Sequence, residues 1–67
     1  MLHQRLKELR NEKSYTLKFV AEQLNVTIRT ICRYEDGTRE PSIEMLKILC
    51  DFYDVTADYL IGRTDSY

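Results

Sequence analysis

Glycine and proline are scarce in this chain, with two of the first and one of the second among 67 residues. Strands joined by tight turns need more of both, so the composition leans all-helical. Cysteine and histidine are as thin. Cys32 and Cys50 are too few and too isolated for a disulfide framework, and His3 is the only histidine, so tetrahedral metal coordination lacks its ligands. Reduced thiols in a cytoplasmic protein are the simpler reading. No apolar run approaches the roughly 18 residues of a membrane span, and no signal peptide is visible. Also missing are a Ser/His/Asp set, a phosphate-cradling glycine loop and paired carboxylates beside a base, so neither catalysis nor a cofactor is expected.

What is present fits one globular domain spanning residues 1–67. Hydrophobic residues make up 43% and charged residues 31%, globular values, at a length near the lower limit for a core without staples. The formal net charge of −1 argues at first against a polyanionic partner, but it hides a polarised chain. Residues 1–35 carry seven Lys/Arg against four acids, a balance of +3, while residues 36–67 carry three against seven, a balance of −4. One basic face and one acidic face are possible on such a molecule.

Periodicity divides the chain into five short helices. Leu2, Leu6 and Leu9 recur at spacings of four and three, predicting an amphipathic helix through about Lys13. Ser14-Tyr15 breaks it. Thr16 then caps a second helix whose buried stripe is Leu17, Val20, Ala21 and Leu24, and Asn25 stands where a left-handed residue is needed. Thr27 caps a third helix to about Glu35, ended by Asp36-Gly37 and held short of continuation by Pro41. Ser42 caps a fourth, with Ile43, Leu46, Leu49, Cys50 and Tyr53 expected inward. Thr56 caps a last helix carrying Ala57, Leu60 and Ile61, which Gly62 stops.

The third helix separates into two arcs. Each residue advances by about 100°, so Ile28, Arg29, Cys32 and Arg33 share one face, and Ile31, Tyr34 and Glu35 share the other. A short helix with a basic outer arc, following another short helix by a tight turn, is the layout of a helix-turn-helix. Arginine donates two hydrogen bonds to guanine O6 and N7, and an isoleucine can touch a thymine methyl. Candidates to meet bases are therefore Ile28, Arg29, Cys32 and Arg33. Threonines and free N–H groups at helix starts hold phosphate.

The segment Leu17 to Tyr34 resembles the helix-turn-helix of the phage repressor and Cro family, also called the xenobiotic response element family. Apolar residues stand where its pattern wants them, at Val20, Leu24, Val26, Ile31 and Tyr34, with a small residue at Ala21. "RYEDGTREPS" and "YDVTADYLIGRTD" are similar to further stretches of the family, and the likeness runs from Leu2 to about Asp65. The resemblance implies a compact five-helix, lambda-repressor-like bundle, with Ile28, Arg29 and Arg33 at base edges and Cys32 at the margin. Phosphate contacts are expected from Thr16, Lys18, Thr27, Thr38 and Arg39. It also implies an internal ion pair between Arg10 and Glu35, which the inward position of Glu35 independently calls for. Three departures stand out: Leu17 replaces a usual glutamine, Asp36 a usual asparagine, and Thr38 a frequent lysine. Together they predict weaker phosphate contact, with Lys13 and Lys18 as the available compensation.

The fourth helix has more apolar residues than one face uses. Either it is buried nearly all round, or Met45, Ile48 and Phe52, with Tyr59 and Ile61, form a self-association surface. The family resemblance favours a homodimer, whose two reading helices would enter the grooves of a palindrome about 34 Å apart. The expectation is a cytoplasmic regulator, bacterial or phage-encoded and nucleoid-associated, that binds double-stranded DNA and represses transcription. The alternative is a non-catalytic protein-interaction module on the same fold, of antitoxin or antirepressor type, which the acidic second half, Asp36 and Leu17 favour.

Overall fold

Hydroxyl side chains start four of the five helices. In the computed structural model, which describes residues 1–67, the elements are α1 (Leu2–Glu12), α2 (Leu17–Leu24), α3 (Ile28–Asp36), α4 (Ile43–Tyr53) and α5 (Ala57–Leu60), with no strand. Thr16, Thr27, Ser42 and Thr56 accept hydrogen bonds from the N–H groups of Phe19, Thr30, Met45 and Tyr59 respectively. Each such cap stabilises its helix by about 1 kcal/mol, which counts where isolated helices of this length would not form. None of the helices is long and apolar enough to cross a membrane.

The helix ends follow the left-handed residues. Asn25, at φ 57°, turns the chain out of α2, and the N–H of Val26 returns to the Ala21 carbonyl at 3.0 Å. Gly37, at φ 83°, ends α3, where the N–H groups of Gly37 and Thr38 both reach the Arg33 carbonyl. Asp54, at φ 57°, ends α4.

The core is drawn from every helix: Leu6 and Leu9, Val20, Ala21 and Leu24, Ile31 and Tyr34, Leu49 and Tyr53, and Tyr59 and Leu60, with Val55 from the last connection. α3 packs against both α1 and α2, and α5 bridges α4 and α1. Two charged residues are also buried, Arg5 and Glu35.

Two expectations about the apolar residues need correction. Ile43 is 73% exposed rather than inward. It is the first residue of α4, about 120° around the helix from Leu49 and about 80° from Tyr53, the two residues that meet the core. The fourth helix is accordingly not buried all round, since Ile48 is exposed as well. In the single turn of α5 only Tyr59 and Leu60 are buried, and Ala57 and Ile61 face outward.

Candidate nucleic-acid interface

α3 is divided along its length as its sequence periodicity implies. Ile31, Tyr34 and Glu35 are buried, whereas Ile28, Arg29 and Arg33 are exposed, Ile28 by 45%. Cys32 lies between the two arcs, half-buried in a recess of about 260 Å³ that it shares with Lys7, Arg10, Leu17, Glu35 and Asp36. Neither Arg29 nor Arg33 takes part in a salt bridge, so both guanidinium groups are free to meet an outside acceptor.

The inner arc is fastened by charge as well as by packing. Arg10 on α1 donates to Glu35 twice, from Nε at 2.8 Å and from Nη2 at 3.0 Å, and its Nη1 donates to the Tyr15 carbonyl at 3.0 Å. One guanidinium thus joins α1, the turn before α2, and the last turn of α3. Only 14% of the Arg10 side chain and 8% of the Glu35 side chain are exposed. A forked, buried geometry of this kind fixes an angle between helices more surely than it adds net stability, because desolvation offsets much of the attraction. Beside the pair, burial pushes the Tyr53 phenol well above its ordinary range.

Around the outer arc the phosphate candidates divide. Thr16 and Thr27 are exposed at the starts of α2 and α3, where the first N–H groups of a helix have no internal acceptor. The Thr27 hydroxyl also pairs with that of Thr30 at 2.9 Å. Lys18 and Arg39 are exposed. Thr38 is different, because its N–H and its hydroxyl both donate to Asp36 Oδ1, at 2.9 and 2.7 Å. Both of its donors are therefore engaged within the chain. The same two bonds, with the Arg33 charge, hold the Asp36 carboxyl below its ordinary value. Two of the three departures noted in the sequence are thus one local structure, a carboxylate closed on the threonine two residues later. The third, Leu17, is half-buried and packs on the core.

Of the five residues expected on a pairing surface, burial removes one, Tyr59. Ile48 and Ile61 are exposed, by 45% and 48%, and Met45 and Phe52 are half-buried against the core. Tyr59 is a core residue, 7% exposed, because the Arg5 guanidinium lies 4.2 Å above its ring and Tyr67 packs edge-on at 4.8 Å. Arg5 itself had no assigned role in the sequence reading. It donates to the carbonyls of Tyr59 and Thr64 and to Asp65, tying the C-terminal segment to α1.

The helix-turn-helix family model matches residues 6–60 of the chain. The transcriptional regulator AnsR of Bacillus subtilis (strain 168) is 44% identical over 59 residues, covering 88% of this chain and 51% of AnsR. The chain spans about half the length of the curated relatives it matches. Among solved structures, SinR, a master regulator for biofilm formation, in complex with DNA, superposes with a TM-score of 0.80 at 32% identity, over 91% of this chain and 98% of that one. A complex of SinR with SinI gives the same TM-score and identity, over 91% of this chain and 60% of the other.

Proposed function

The chain belongs to the Cro/C1-type helix-turn-helix family of transcriptional regulators, and from that premise we propose that it is a sequence-specific repressor that binds duplex DNA as a homodimer. Residues 1–67 act as one DNA-binding domain. α3 lies in the major groove, with Arg29 and Arg33 donating to guanine edges, Ile28 against a thymine methyl and Cys32 at the margin. Thr16, Lys18, Thr27 and Arg39 hold phosphates on either side, with the free N–H groups at the starts of α2 and α3. Two copies read the halves of a palindromic operator and occlude a promoter, in the cytoplasm on the nucleoid.

The observation that carries this reading is the contrast in charge on α3. Glu35 inside is bound by Arg10, whereas Arg29 and Arg33 outside have no ion-pair partner. The family is one of DNA-binding regulators, not an enzyme class. Selection of preferred sequences from a randomised duplex pool is the test. A common motif of two inverted half-sites, bound with steep salt dependence, supports the proposal; retention of no preferred sequence counts against it.

A second reading is favoured by the Asp36–Thr38 closure and by Leu17, which together remove two customary phosphate donors from the site. SinR, which shares this fold, occurs in complex with SinI as well as with DNA. On this reading the domain is a protein-interaction module, and it fails to bind random duplex even at low salt.

A further inference from the structure

A cavity of about 400 Å³ lies between the start of α1, the end of α3 and the connection from α3 to α4. Leu2, Leu46 and Ile61 give it an apolar side. Tyr34 stands in its wall, only 6% exposed, and the Tyr34 hydroxyl has no hydrogen-bond partner within the chain. No fully buried side-chain oxygen of the molecule lacks a partner, so that hydroxyl opens to solvent, and the cavity is the open space beside it. Arg39 and Glu40 complete the polar side. Both are exposed, and neither forms a salt bridge with the other or with any other residue.

We propose that this cavity binds a free α-amino acid with a large apolar side chain. Arg39 and the Tyr34 hydroxyl donate to its carboxylate, Glu40 accepts from its ammonium, and its side chain lies against Leu2, Leu46 and Ile61. A free cation, a free anion and a nearly buried hydroxyl beside an apolar wall are together the complement of a zwitterion with an apolar group. A ligand that is only anionic meets repulsion from Glu40, and one that is only cationic meets repulsion from Arg39. The volume lies within the roughly 300–1,000 Å³ of small-molecule sites. The recess around Cys32 is a poorer candidate, because its Arg10 is already engaged by Glu35 and by the Tyr15 carbonyl.

The cavity also touches the reading helix. Gly37, which ends α3, is part of its wall, and the His3 imidazole lies against that glycine, where an added Cβ would stand 3.2 Å from His3 Cγ and Nδ1. Arg39 then has two anions within its reach, the carboxylate of the ligand and a phosphate of DNA. This coupling rests on the DNA-binding reading above. Occupancy withdraws Arg39 from the phosphate path, so the amino acid acts as an inducer, and ligand and operator weaken each other by the same factor. The loss of one phosphate contact sets that factor at about threefold.

Isothermal titration calorimetry of the protein without DNA tests the site apart from DNA reading, with L-phenylalanine, phenylacetate and phenethylamine each carried to about 10 mM. L-phenylalanine binds. Phenylacetate, which lacks the ammonium, and phenethylamine, which lacks the carboxylate, each bind about tenfold more weakly or worse. Arg39→Gln and Glu40→Gln, both at exposed positions, each weaken L-phenylalanine binding by about tenfold, and Tyr34→Phe, which keeps the ring in the core, by about threefold. The proposal is overturned if L-phenylalanine does not bind at this concentration, if either singly charged analogue binds as well, or if none of the three variants weakens it. Operator binding is measured separately, with and without L-phenylalanine. A threefold weakening in the parent that is absent in Arg39→Gln supports the coupling, and an operator unaffected by bound L-phenylalanine overturns it. Failure to select any operator, alongside intact binding of L-phenylalanine, strikes the functional proposal alone.

Discussion

On one arc of α3, Ile31, Tyr34 and Glu35 are buried, and the carboxylate of Glu35 is held by two bonds from Arg10. On the other arc, Ile28, Arg29 and Arg33 reach solvent, and neither arginine has an ion-pair partner. One helix of nine residues thus carries two kinds of charge. The inner charge sets where the helix lies, and the outer charges are available to whatever it meets. The difference teaches that stability and recognition are separable here, residue by residue, even though the two sets alternate in sequence.

The largest effect belongs to the inner arc. Glu35→Ala leaves the Arg10 guanidinium buried without its partner and costs about 3–5 kcal/mol of folding stability, most of what a domain of this size has. Urea unfolding measures it, and a loss below about 1 kcal/mol means the pair is more solvated than its geometry implies. Next comes the outer arc, where the effect shifts from folding to binding. Arg33→Ala weakens operator binding by about 1–3 kcal/mol and leaves unfolding within about 0.5 kcal/mol of the parent. A comparable loss in both measurements breaks the distinction between the arcs.

Asp36, the last residue of α3, gives a smaller effect at the boundary between them. Asp36→Asn removes a negative charge beside the expected phosphate path and tightens DNA binding by about threefold at low salt, an advantage that fades as salt rises. The Asp36 carboxyl also titrates below its ordinary value because Thr38 donates to its charged form. Its folded pKa is depressed, so its stabilising contribution is present above the unfolded pKa and is lost as pH falls through the folded one. Carboxyl NMR of Thr38→Val checks the cause, with the titration moving back towards the ordinary value. Asp65→Ala has the smallest expected effect. Its carboxylate is 98% exposed although its partner Arg5 is only 11% exposed, and Arg5 keeps its bonds to the Tyr59 and Thr64 carbonyls. Stability changes by less than about 1 kcal/mol, set against the loss at Glu35.

The parts of this arrangement that were legible in the sequence are those coded by local chemistry. Four hydroxyl residues marked four helix starts because the cap needs a side-chain oxygen three residues before the N–H it accepts. Asn25 and Gly37 marked helix ends through their tolerance of positive φ. The arcs of α3 followed from its period, and Glu35 on the inward arc required a cation. Arg5 was not legible in the same way. Two of its acceptors are main-chain carbonyls 54 and 59 residues away, and a carbonyl leaves no trace in residue identity. The same network buries Tyr59, which periodicity alone had left on a surface. Ile43 was misread for a different reason: it opens α4 at an angle that the helix period turns away from the core-facing Leu49 and Tyr53, and its apolar character outweighed that offset in the reading.

The central claim is that the outer arc of α3 reads DNA sequence while the inner arc holds the fold. The ratio of affinities for the selected operator and for random duplex, compared between the parent and Arg29→Ala/Arg33→Ala, tests it most directly. The account predicts that the ratio falls by about a hundredfold while the unfolding midpoint stays where it was. A ratio that survives the double substitution unchanged would contradict it.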